Sequence, residues 1–293
     1  MRKFLPLLFL LLAPWAPARS RGKPPEKIVV ITNVNIVDVD TGTLRSHLAV
    51  VIEKGRITAI AKHAIIQETP LIVVVNGEGK YLIPGLWDMR IHLQGTDTVG
   101  TTNQVFPLLL ANGVTGVRDM GGNLEALKEL SRRIERGELA GPRIVSPGPM
   151  PAGPQPAPDP VTVVHNPQEA RAAVESLHQR PGANLLAGTD SPPGAAPGSA
   201  LHRELQLLVE AGLTPLEALQ AATLNPARFL GKEKEMGQVE VGRQADLVLL
   251  DGDPTRDIAN LNKIAGVVAA GRYYSRRELD EMLAQAEAAK EKQ

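Results

Sequence analysis

The sequence predicts an α/β fold, in which a sheet built from both chain ends carries a strand–helix insert of barrel type. Three observations point there. Residues 27–81 and 236–275 are rich in short β-branched runs broken by turn signals. Residues 82–231 alternate apolar strands with helical stretches, the pattern of a parallel sheet covered by helices. No internal repeat interrupts this order.

Taken along the chain, residues 28–31 and 34–37 are apolar strands. Residues 48–52 and 57–60 flank Glu53-Lys54-Gly55-Arg56, a hairpin signal, and 71–75 ends at the Asn76-Gly77 turn. These strands predict a small antiparallel sheet. From residue 82 the period changes. Residues 82–93 run from strand into loop, and 104–111 form a helix stopped by Asn112-Gly113. A buried strand follows over 114–119, then a helix over 124–136 capped by Asn123, then a third strand over 143–146. Residues 147–160 are too rich in proline for regular structure and suit a long loop over a barrel mouth. A helix over 167–179 precedes a fourth strand over 185–190. Three helices follow over 201–211, 215–222 and 226–230, two of them opened by proline. Residues 237–251 and 264–274 return to strand character. Residues 276–293 read as a charged, alanine-rich terminal helix, frayed at the chain end.

Composition narrows the function. The chain has 293 residues and a formal net charge of +0, which gives no electrostatic reason to bind nucleic acid. Aromatic residues make up only 3%, too few for a base-stacking platform. There is no cysteine, so a disulfide, a thiolate metal site and a cysteine nucleophile are all excluded. Residues 1–20 read as a cleavable signal peptide. Arg2 and Lys3 precede an apolar run over 4–12 that is too short to span a bilayer, and Ala16-Pro17-Ala18 offers small residues for cleavage. The expectation is a secreted or periplasmic protein, not membrane-integral once the signal is removed.

The chemistry concentrates in Pro84-Gly85-Leu86-Trp87-Asp88-Met89-Arg90-Ile91-His92-Leu93. Alternate residues of a strand share a face, so positions 90 and 92 can converge on one ion. The segment resembles the first barrel strand of the amidohydrolase superfamily, whose pattern is Pro-Gly-Leu/Phe-x-Asp-x-His-x-His. Gly113-Val114-Thr115-Gly116-Val117-Arg118-Asp119 resembles the family's second strand, and Ala187-Gly188-Thr189-Asp190-Ser191 resembles its eighth. Residues 201–223, including Glu204, resemble the helices after that strand, and Gly242-Arg243-Gln244-Ala245-Asp246-Leu247-Val248 the return to the small sheet. The nearest subgroup is the imidazolonepropionase-like and prolidase-like hydrolases. The resemblance implies a metal-dependent hydrolase acting on carbon–nitrogen bonds of a small-molecule substrate. It implies zinc as cofactor, His92 and Asp190 as metal ligands, and Asp190 as general base.

Two departures bear on mechanism. The first histidine of the pattern is Arg90, which has no lone pair and repels a divalent cation. The barrel is also short. Residues 85–231 span fewer than 150 positions, whereas a full (β/α)8 barrel takes about 250. The four strands counted resemble strands one, two, three and eight, and no lysine lies between Lys128 and Lys232 to supply a carbamate. The fold expected is therefore a truncated (β/α) TIM-type barrel of about four βα units over 82–231. A composite β-sandwich from 27–81 and 236–275 carries it, with a C-terminal helix over 276–293. The metal site expected is incomplete: His92 and Asp190, with Arg90 in the first histidine position and His165, in the long loop, as a weak candidate. A binuclear site is not expected, and a chain without bound metal is the alternative.

His47, His63, His178 and His202 are assigned surface or capping roles. Asp88 is assigned a structural acceptor role, and Arg118 is expected to pair with Asp119. Arg90, Arg118 and the Gly121-Gly122-Asn123 helix start could together attract an anion, or Arg90 could pair with Asp190 instead. Three readings of function stay open: a catalytically impaired hydrolase, a non-catalytic binding or assembly module, and an incomplete gene product. Open sheet edges add the expectation of a homodimer.

Overall fold

The computed structural model describes residues 27–62, 68–93, 101–147, 166–178, 180, 184–190 and 197–290. The expectations for the signal peptide, His63, residues 148–160, His165 and residues 291–293 lie outside them. Among the described residues no helix is long and apolar enough to cross a membrane.

The two chain ends do meet in one sheet. Strands β1 (Ile28–Val37), β2 (Leu44–Glu53), β3 (Arg56–Lys62), β4 (Ile72–Asn76) and β5 (Tyr81–Pro84) come from the first end. Strands β9 (Leu247–Leu250), β10 (Ile264–Ala269) and β11 (Arg272–Ser275) come from the second. The order is β11-β10-β9-β5-β1-β2-β3, with β4 also on β1. The seam is β5 against β9, antiparallel from Tyr81↔Leu250 to Pro84↔Leu247. The sheet is mixed, contrary to the antiparallel expectation, because β1 pairs parallel with both β4 and β5. Long connections make this possible: β1 reaches β4 only after the β2–β3 hairpin has left and returned.

Instead of two separate layers there is one sheet that curls over itself. The β2–β3 turn, with Lys54 at φ +49° and Gly55 at φ +70°, has the paired positive φ of a tight hairpin. It abuts the β10–β11 turn so closely that a Cβ on Gly271 would lie 2.4 Å from the Gly55 Cα. Alternation along β9 sorts the two faces. Leu247 and Leu249 point into the curl with Val29, Ile31, Val50, Ile57 and Val268. Val248 and Leu250 face the insert with Ile83, Phe106 and Leu110.

The insert contains a parallel sheet of β6 (Leu86–Ile91), β7 (Val114–Asp119) and β8 (Arg143–Val145), in that order. Between them lie α1 (Phe106–Ala111), entered through a π-turn over Thr101–Val105, and α2 (Leu124–Glu135). The side chain of Asn123 accepts from the Glu125 and Ala126 amides, which explains the sharp start of α2. Helices α3 (Pro167–His178), α4 (Ser199–Glu210), α5 (Pro215–Ala221) and α6 (Leu224–Phe229) follow. Thr214 and Glu217 close a capping box at the start of α5. Asp246 couples the two parts: its backbone oxygen accepts from Gly85 N at 2.7 Å, and its carboxylate receives Arg143 of β8.

Three expectations need correction. Residues 185–190 run beside β6 but form no fourth ladder strand. Met89 N donates to Ala187 O and Asp190 N to Arg90 O, both at 2.8 Å. The amides of Ala187, Gly188 and Thr189 go elsewhere, to Ala221 O, Glu204 and Asp88, which interrupts the ladder. Of residues 237–251 only β9 is strand, because Gly237 and Gly242 take positive φ and turn the chain before it. The last helix, α7 (Arg276–Lys290), is docked within its described length: Leu279 and Ala286 are buried, and its apolar side lies on α1.

Candidate functional site

The site forms where β6 ends beside residues 184–190. Asp190, at φ +48°, is in the left-handed region that aspartate enters more readily than most residues. Its carboxylate is shared. Oδ2 lies 3.2 Å from Arg90 Nη2, and Oδ1 lies 3.0 Å from His92 Nε2. The side chains of Arg90, Asp190 and His92 are 55%, 46% and 32% exposed, so water screens the cluster. In that setting the arginine pair contributes about 0–1 kcal/mol.

A buried and a half-buried carboxyl sit beneath. Asp88, 1% exposed, accepts the Arg90 amide at 3.2 Å, the Thr189 amide at 3.0 Å and the Thr189 hydroxyl at 2.7 Å. Burial raises its carboxyl above the ordinary range, the bonds from Thr189 and Arg90 oppose this, and the nearby Asp190 charge adds to it. Glu204, on α4, accepts the Gly188 amide through Oε1 at 2.9 Å, while Oε2 is buried without a hydrogen-bond partner. Burial pushes its carboxyl up to about 7; the Gly188 bond opposes this and the Asp88 charge adds to it.

The structure thus brings His92 and Asp190 together and places Arg90 on the same carboxylate. Metal-ligand geometry goes no further. Among the described residues no three His, Cys, Asp or Glu side chains converge on one point. Two donors fall short of the three that a catalytic zinc keeps, and the guanidinium already serves as Asp190's cation. The described residues do not fit the metal.

Other assignments change. Arg118 does not pair with Asp119; its guanidinium lies 5.0 Å over the Phe229 ring. Asp119 is fully buried and accepts the Leu93 amide at 2.7 Å, the Gly121 amide at 3.1 Å and the Gly122 amide. The glycine amides considered for an anion are therefore consumed by the β7–α2 turn. His202 is not on the surface. It is 3% exposed, with Nδ1 at 3.0 Å from Asn262 Oδ1 and Nε2 at 2.8 Å from Asn112 O, and burial lowers its pKa. His47 pairs with Asn33 on the exposed edge of β2. Glu204 received no role from sequence, although a signal existed: it lies on the stripe of Leu201, Leu205 and Leu208, where a helix normally buries only apolar residues.

A three-stranded parallel sheet with helices between its strands, joined to a composite sheet, is the architecture of part of a (β/α) barrel. The comparisons support membership of the amidohydrolase superfamily. A model described as "Amidohydrolase family" matches residues 158–273. An imidazolonepropionase from Geobacillus sp. is 42% identical over 71 residues, which are 24% of this chain and 17% of that protein. An ochratoxinase from Aspergillus niger is 40% identical over 79 residues, 26% of this chain and 16% of that protein. The chain thus covers less than a fifth of the length of either relative. A putative prolidase from Bifidobacterium longum aligns with a TM-score of 0.68 at 22% identity, over 90% of this chain and 100% of that one. Phenylurea hydrolase B aligns with a TM-score of 0.65 at 20% identity, over 87% and 98%. At these identities the solved structures speak for the fold alone, a TIM-type barrel, of which this chain shows a curled part.

Proposed function

We propose that this chain is a catalytically impaired amidohydrolase, descended from enzymes that cleave carbon–nitrogen bonds of small molecules. The names of its relatives, imidazolonepropionase, ochratoxinase and prolidase, supply the reaction class. One observation carries the impairment: the Asp190 carboxylate is held between Arg90 and His92, so the family's general base is already engaged by a fixed cation. The test is hydrolysis of cyclic amides, N-acyl amino acids and Xaa-Pro dipeptides by the purified chain, with zinc supplied and with chelator. No zinc-dependent turnover is expected. Turnover that zinc restores and chelator abolishes would overturn it.

A second reading, an assembly module, has one observation in its favour. Among the described strands β8 pairs only with β7, leaving its other edge without a strand partner. Sedimentation should then show a homodimer, and a strict monomer would remove this reading. Secretion is proposed with either, from residues 1–20, and N-terminal sequencing of protein from the native host tests it.

A further inference from the structure

We propose that Asp88 and Glu204 are positioning residues, a two-carboxyl clamp that grips Gly188 and Thr189 and sets the Asp190 side chain between Arg90 and His92. The inference takes from the functional reading only that Asp190 is the central carboxylate of the site.

The geometry is specific. Glu204 reaches from α4 to the Gly188 amide, and Asp88 takes both the amide and the hydroxyl of Thr189. Asp88 also holds the Arg90 amide, so one carboxyl fixes both sides of the site in register. The next amide, that of Asp190, donates to Arg90 O at 2.8 Å. Three successive amides are thereby tied to three different acceptors, which no regular strand would do. Asp190 emerges at φ +48°, a conformation that needs outside support in a residue with a Cβ. Gly188 is part of the device: a Cβ there would lie 2.7 Å from the Arg90 Cβ and 2.8 Å from its nitrogen. Only glycine lets the two segments approach closely enough for Asp190 to reach both partners.

A surface ion pair worth about 1 kcal/mol or less would not hold this arrangement unaided. The clamp does, since its several hydrogen bonds act together and are partly shielded from water. Glu204 brings only one bond to its carboxyl and leaves Oε2 buried without a partner. A carboxyl placed there solely for stability would be outdone by an apolar side chain on the same stripe. Its presence fits the task of fixing the Gly188 amide.

The experiment is nuclear magnetic resonance of the full-length chain at one fixed pH, following the His92 ring and Arg90 Nε–H signals. It needs neither turnover nor metal, so the clamp is judged independently of the functional reading. Glu204→Leu and Thr189→Val remove acceptor and donor respectively; Glu204→Gln and Thr189→Ser return them. The expected result is displaced His92 and Arg90 signals in the first pair and wild-type positions in the second, with the Trp87 indole unmoved throughout. Should Glu204→Leu fail to fold, the Thr189 pair decides alone. Unchanged signals in folded Thr189→Val, or failure of the conservative variants to restore them, would overturn the proposal.

Discussion

Replacing Arg90 by histidine should convert the site into one that holds zinc. The substitution returns an imidazole to the position two residues before His92, and with Asp190 it brings the donor count from two to three. Removing the arginine costs little, because both Arg90 and Asp190 are about half exposed and such a pair contributes about 0–1 kcal/mol. The gain from lost repulsion can be set as a floor. A guanidinium about 4 Å from a divalent ion costs about 2 kcal/mol even at the dielectric of water, or roughly thirtyfold in affinity. Arg90→Ala removes the repulsion without adding a ligand, so it should recover about that factor. Arg90→His should exceed it by the contribution of a third ligand. Competition against a chromophoric zinc chelator measures all three chains on one scale. Arg90→His binding zinc no more tightly than wild type, while melting like it, would refute the reasoning.

Other outcomes follow from the buried groups. Glu204 has a folded pKa of about 7 against an ordinary 4.5, so the folded state binds the extra proton in between. Its contribution is present below 4.5 and is lost as pH rises through about 7; the loss is on the order of 3 kcal/mol. Denaturant titrations should show that slope in wild type and lose it in Glu204→Gln. His202 acts in the opposite direction: its folded pKa is lowered, so its contribution is present above the ordinary 6.5 and is lost as pH falls below it. His202→Gln should flatten the acid side of the stability curve measured the same way. Gly188→Ala should cost about 1–3 kcal/mol by overpacking against Arg90, read as a lower Tm. Asp119→Ala strands the Leu93, Gly121 and Gly122 amides. Its cost, read in a chemical denaturation midpoint, should reach about 2–4 kcal/mol.

The parts of this molecule legible in its sequence are those where local chemistry and burial agree. The Asn123 cap, the Thr214-Pro215 helix start and the continuously apolar strand β9 follow directly from capping and side-chain character. The superfamily was legible in motifs at the two segments that meet at the mouth, and the conflict at Arg90 was legible with them. What could not be read was where the backbone amides near Asp190 go. A strand pattern over residues 185–190 is the same whether its amides pair with another strand or with carboxyls from β6 and α4. The parallel pairing of β1 with β4 and β5 was equally hidden, because strand direction is set by the return of the chain and not by residue type. Arg118 looked like a partner for its neighbour Asp119; adjacent strand residues point to opposite faces, so it stacks on Phe229 instead.

The central claim is that Arg90, and not a metal, is the cation of this site. Elemental analysis of the purified wild-type chain, refolded or dialysed with zinc supplied and then freed of loosely held ions, tests it most directly. The account predicts far less than one zinc per chain in a protein that still melts cooperatively. One or more tightly held zinc ions per chain would contradict it.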